Sequence, residues 1–176
     1  MPMDYGGNIM NAHVPAPPNL WIPSIQELTG CDMMSIRVSE GELYVEGVTQ
    51  QVLDDAMTIY YGDQETYVFT PCRNAKKKAV SNKAYLFISD RYSIQVQQMF
   101  QALLTEASIL GLANRIVYVR QLLDWAKTVV QENINVDDAI DAATTVAEIK
   151  AISIDLTPFE ATNPQITIKA AMEIPD

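Results

Sequence analysis

The sequence predicts an α+β fold: a small N-terminal β-hairpin and helix module, then a long antiparallel helical hairpin and short C-terminal helices. Three observations lead there. Residues 35–46 alternate apolar and polar in steps of two, whereas residues 90–132 place apolar side chains at steps of three and four. Gly111 divides the second pattern near its middle, where a residue free to take positive φ can end one helix and let the chain turn back.

Residues 1–23 read as an extended arm, because Gly6-Gly7 and then Pro15, Pro17, Pro18 and Pro23 impose extended geometry and remove backbone donors. The arm ends in Leu20, Trp21 and Ile22. Such an apolar anchor either lashes onto another subunit or packs on the chain's own core.

Residues 24–89 form the expected α+β module. Ser24–Thr29 suits one helical turn before Gly30. Ile36 and Val38, then Leu43 and Val45, alternate with polar residues around Ser39-Glu40-Gly41, the clearest β-hairpin signal in the chain. Thr49 suits an N-cap for a helix in which Val52, Leu53, Ala56, Met57 and Tyr60 share a face, and Gly62 stops it. The β-rich runs Thr66–Thr70 and Ala84–Ile88 are expected as partner strands around a basic loop. That loop holds Arg73, Lys76, Lys77, Lys78 and Lys83. It is either a solvated turn or a charge contact to an acidic surface on a neighbouring copy or to a phosphate backbone, with Arg73, Lys76, Lys77 and Lys78 as the candidates.

Residues 90–176 are expected as the helical hairpin with a closing segment. Ser89 or Asp90 is placed to cap the first helix, whose stripe is Val96, Phe100, Leu103, Ala107 and Leu110, widened by Met99 and Leu104. Asn114 is the expected cap of the second, with Ile116, Val119, Leu123, Ala126 and Val130 on one face and Leu122, Trp125 and Val129 beside them. Burying about ten such side chains, at roughly 1.5–3 kcal/mol each, is the largest favourable contribution the chain offers. Asn135 before Asp137 and Asp138 suggests a further helix start, and Thr145 with Glu148 has capping-box spacing. After Pro158 and Asn163-Pro164, the alternation Ile166, Ile168, Ala170, Met172, Ile174 suits a terminal strand, with Thr167 as cap of a final helical turn as the alternative.

Composition narrows the function classes. With 48% apolar residues the chain can build a core, and no apolar run approaches the roughly 20 residues of a membrane span. The opening MPMDYGGN lacks the basic and apolar blocks of a signal peptide, so synthesis in the cytoplasm is expected. A net charge of −10 argues against a nucleic-acid or anionic-membrane partner. One histidine, His13, and two cysteines, Cys31 and Cys72, fit no zinc pattern; two reduced thiols are favoured over a disulfide. No nucleophile elbow or phosphate-binding glycine loop is present, so no catalytic residue, cofactor or metal is expected. Asp137, Asp138 and Asp141 read as helix-dipole partners, and Tyr60, Tyr61, Tyr67 and Phe69 as core or interface aromatics.

The segments YVRQLLDWAKTVV and IDAATTVAEIKAISIDLTPFEATNPQITIKAAMEI resemble the C-terminal ends of small tailed-bacteriophage virion proteins. The shared pattern is a tyrosine-led helix with a tryptophan (Tyr118, Trp125), an A-x-T-x-A-E-I-x-A-I turn (Ala143 to Ile152) and an F-x-A-T/S-x-P-x-I/V-T-I close (Phe159 to Ile168). Upstream, VEGVTQQVLDDAMTIY also resembles short modules of such proteins. The resemblance implies a non-enzymatic, multi-copy component of a tail, baseplate, fibre attachment or neck. Its implied partners are other virion proteins and copies of itself, and its location is the virion. The alternative is an assembly chaperone or cytoplasmic adaptor that the finished particle does not retain.

Overall fold

The computed structural model describes residues 11–175, so the Gly6-Gly7 part of the expected arm lies outside the described residues. The fold is α+β, with a three-stranded antiparallel sheet followed by helices. Contacts divide the chain into two units. The first holds the described residues up to Ala75 together with Ala143–Ala151; the second holds Lys76–Ala142 and the described residues from Ile152 onward. The sequence instead suggested a boundary at 89/90.

In the first unit, strand β1 (Asn11–Pro15) pairs with β3 (Glu42–Glu46), which also pairs with β2 (Ile36–Ser39), giving the order β1-β3-β2. The expected extended arm is thus partly an edge strand. Ala12 is buried between exposed Asn11 and His13, and Pro15 sits last, where a missing donor costs no ladder bond in the middle of a sheet. The outer edge of β1 is closed at His13, whose backbone N–H donates to Gln50 Oε1 (3.2 Å) while its carbonyl accepts from Gln50 Nε2 (3.0 Å). The β2–β3 turn has φ of 55° at Glu40 and 82° at Gly41, the twist-matched geometry that the sequence signalled.

Helix α1 (Ile22–Thr29) follows Trp21, and α2 (Gln50–Gly62) is capped by Thr49, whose hydroxyl accepts from Val52 N–H at 3.3 Å. Leu53, Ala56, Met57 and Tyr60 are buried as expected, while Val52 faces solvent. Cys31 and Cys72 are free thiols.

The two expected strands at 66–70 and 84–88 are helical instead. Five residues, Glu65–Phe69, form a π-turn that runs into α3 (Thr70–Ser89). Ala75, Lys76, Lys77, Lys78 and Ala79 favour a helix strongly, and they outweigh the β-rich ends. Pro71 lies in the first turn of α3, and the wider π-turn before it relieves the clash with the preceding carbonyls. Buried Cys72, Val80 and Ala84 mark the inward face.

In the second unit, α4 (Ile94–Leu110) is capped by Ser93, not Ser89 or Asp90, and ends at Gly111 with φ of 72°. Helix α5 (Ala113–Ala142) runs 30 residues without interruption, about 45 Å. Asn114 therefore lies inside it and donates to the Pro175 carbonyl (3.2 Å). Asn135 starts no new helix: its side chain pairs along the surface with Gln131 and Glu132, while Val136 and Ile140 continue the buried row of Val129. Helix α7 (Thr157–Ala161) and α8 (Ile168–Glu173) close the unit; Thr167 caps α8 by accepting from Ala170 N–H at 3.1 Å, so the helical alternative replaces the terminal strand.

Helix α6 (Val146–Ala151), which belongs to the first unit, has the capping box its spacing announced. Glu148 N–H donates to Thr145 Oγ1 (3.1 Å), and Glu148 Oε2 accepts from Thr145 N–H (3.1 Å) and Thr144 N–H (2.8 Å). The Thr144 backbone bond, with its hydroxyl, holds the Glu148 carboxyl below the ordinary carboxylate value. Because the folded value is lowered, this contribution is present at neutral pH and is lost as the pH falls through that value.

Candidate functional site

The residues singled out in the sequence do not form one site. Leu20, Trp21 and Ile22 line a recess of about 550 Å³ in the first unit with Pro23, Met33 and Ile36. They are held there rather than extended. Trp21 N–H donates to the Tyr60 hydroxyl (2.8 Å), that hydroxyl donates to Asn19 O (2.7 Å), and Asn19 Oδ1 accepts from Val146 N–H of α6 (3.3 Å). Lys150 of α6 stands 5.8 Å over the Trp21 ring. The anchor therefore packs on its own unit, as one of the two sequence readings held.

The basic residues lie on α3, not on a loop. Arg73 pairs with Glu65 at 2.8 Å, donates to Ala143 O at 3.1 Å and stands over the Phe69 ring. Lys77 pairs with Asp141 of α5 at 2.6 Å. Lys76 is half-buried and Lys78 exposed on the same helix. Thus Arg73 and Lys77 have acidic partners on this chain. These pairs are half-exposed, and each contributes little net stability.

No group of three or more metal-ligating side chains occurs among the described residues. Asp137, Asp138 and Asp141 lie late in α5 rather than at a helix start. The aromatic quartet is dispersed: Tyr60 is fully buried, Tyr61 half-exposed and edge-on to it at 6.0 Å, and Phe69 under Arg73. No helix among the described residues is long and apolar enough to cross a membrane.

Further unfilled surface lies on the hairpin of the second unit. One side of α5, carrying Gln121, Asp124, Trp125 and Thr128, faces Pro158, Phe159, Thr162 and Pro164 across a cleft of about 630 Å³. Trp125 Nε1–H bonds Phe159 O at 2.9 Å there. Half a turn round, by the 3.6-residue repeat, α5 presents Leu123, Ala126, Val130 and Ile134. These residues border two adjoining grooves of about 350 and 520 Å³, with Ile94, Gln97, Gln98 and Gln101 of α4 as the opposite wall. Ile94, Val130 and Ile134 are 48%, 49% and 45% exposed.

Sequence reading missed this face because it placed Leu123, Ala126 and Val130 in the buried stripe. The structure buries Val119 of that stripe together with Leu122, Trp125 and Val129. The signal was present: an apolar arc that includes 122, 123, 125, 126, 129 and 130 is too wide for one neighbouring helix to cover. The aromatic and Leu122 take the core, and the remainder is left outside. Compared with protein-family profiles, curated proteins and solved structures, the chain matches none.

Proposed function

We propose that this protein is a non-enzymatic structural component of a tailed bacteriophage particle, in its tail, baseplate, fibre-attachment or neck region, acting by protein–protein docking. The observation that carries the docking mechanism is the apolar, amide-lined groove along α4 and α5, which no described residue of its own unit fills. Apolar side chains that line a groove rimmed by amides mark a candidate surface for another protein. The phage assignment rests on the resemblance, mainly of residues 114–174, to virion proteins. The structure gives those residues a packing role in keeping with that reading: Trp125 meets Phe159, and Thr145 and Glu148 cap α6.

Peptide mass spectrometry of density-purified particles from the phage that encodes the chain tests this assignment. The expected result is detection at a fixed stoichiometry to the other virion proteins, in several copies per particle. Abundance in the infected-cell lysate with none in particles would instead make the chain an assembly chaperone or adaptor, a role that its net charge of −10 also suits.

A further inference from the structure

We infer that the open α4–α5 face is an isologous interface on which a second copy of this chain docks, forming a two-fold four-helix arrangement. This deepens the docking reading by naming the partner of that face.

Charge supports an identical partner. Each copy carries −10, so two copies meet most readily where the surfaces add no further like charge. Apart from Lys127, the residues that line this face are uncharged. Its polar residues are Gln97, Gln98 and Gln101 on α4 and Gln131 on α5, and its cation, Lys127, lies 3.5 Å from Asp124. A primary amide donates and accepts, so a row of glutamines complements a copy of itself, which a row of lysines or glutamates does not. Apolar Ile94, Leu123, Val130 and Ile134 supply the desolvated part.

The lining residues run from Leu123 to Ile134 on α5, about 18 Å, and two adjacent helices span about 20 Å, giving about 360 Å² per copy and about 720 Å² in total. That is the range of weak, transient association, so a concentration-dependent dimer is expected rather than a permanent one.

Light scattering coupled to size exclusion, on the full chain over a micromolar concentration series, tests the inference. The mean mass should rise from 19.6 kDa toward twice that value. A Val130→Asp, Ile134→Asp double variant sets like charges against each other across the axis and should raise the dissociation constant at least about 100-fold. Leu110→Asp, at an exposed position on the other side of α4, should leave it unchanged. If the double variant loses its helical circular dichroism, Gln98→Glu with Gln101→Glu gives the same comparison at exposed positions. A wild-type chain that stays monomeric throughout, or a dimer that tolerates the charged variants, overturns the inference. A monomer still found in particles removes only this face's self-pairing, whereas a dimer absent from particles removes only the virion assignment.

Discussion

Trp125→Ala is expected to lower the unfolding free energy by about 3–5 kcal/mol, the range for emptying a large aromatic site. The indole is 5% exposed and stacks on Phe87 (centroids 5.9 Å apart) and edge-on against Tyr92 (5.8 Å). Its N–H donates to Phe159 O. That bond ties α7 to the middle of α5, and Tyr92, whose hydroxyl donates to Asn163 Oδ1 (2.7 Å), ties the next loop to the start of α4. Arg91 adds a cation–π contact to Phe87 at 3.6 Å and an ion pair to Glu160. Trp125→Phe keeps a ring but leaves the Phe159 carbonyl without its donor, so a smaller loss of about 1–3 kcal/mol is expected. Urea unfolding followed by circular dichroism reads both; a loss under about 1 kcal/mol for the alanine variant would show that the aromatic cluster does not hold this unit together.

Tyr60→Ala should cost a comparable amount, about 3–5 kcal/mol, in the first unit. Its ring is fully buried, and its hydroxyl serves both the Trp21 N–H and the Asn19 carbonyl. Tyr60→Phe keeps the ring and isolates those two backbone groups, for an expected loss of about 1–3 kcal/mol. Burial pushes the Tyr60 hydroxyl from its ordinary value of 10.0 up to about 12, against the opposing hydrogen bond from Trp21. Since the folded value is raised, the contribution is fully present below pH 10 and is lost as the pH rises from 10 through about 12. Burial raises the Tyr92 hydroxyl as well, so tyrosinate absorbance should show a late-titrating component in the wild type that is smaller by one residue in Tyr60→Phe. Equal alkaline titrations of the two proteins would contradict the assignment.

The parts of the fold legible in the sequence were those governed by local chemistry. The β2–β3 hairpin, the Thr49 cap, the Gly111 break and the Thr145/Glu148 box each depend on a few adjacent residues, and each formed. The failures share a different cause, competition over a longer stretch. At 66–88 the β-branched and aromatic ends lost to the alanine- and lysine-rich centre, which extended one helix through both. At 135–138 a local capping signal lost to the burial of Val136 and Ile140, which kept α5 continuous. The prolines of residues 11–23 suggested an arm, but Ala12 and β3 recruited Asn11–Pro15 into the sheet, and the Tyr60 hydroxyl fixed Trp21. The open α4–α5 face was only half legible for a related reason. Periodicity gives the width of an apolar stripe but not which part of it a neighbour covers, and only the packing of Leu122 and Trp125 left Val130 and Ile134 outside.

The central claim is that the α4–α5 face is covered when the protein works. Hydroxyl-radical footprinting read by mass spectrometry, comparing the dilute free chain with the chain in purified particles, measures that coverage residue by residue. Ile94, Leu123, Val130 and Ile134 should label in the free chain and be protected in the particle, while exposed Met34 serves as a reference. Equal labelling of these residues in both states would contradict the account.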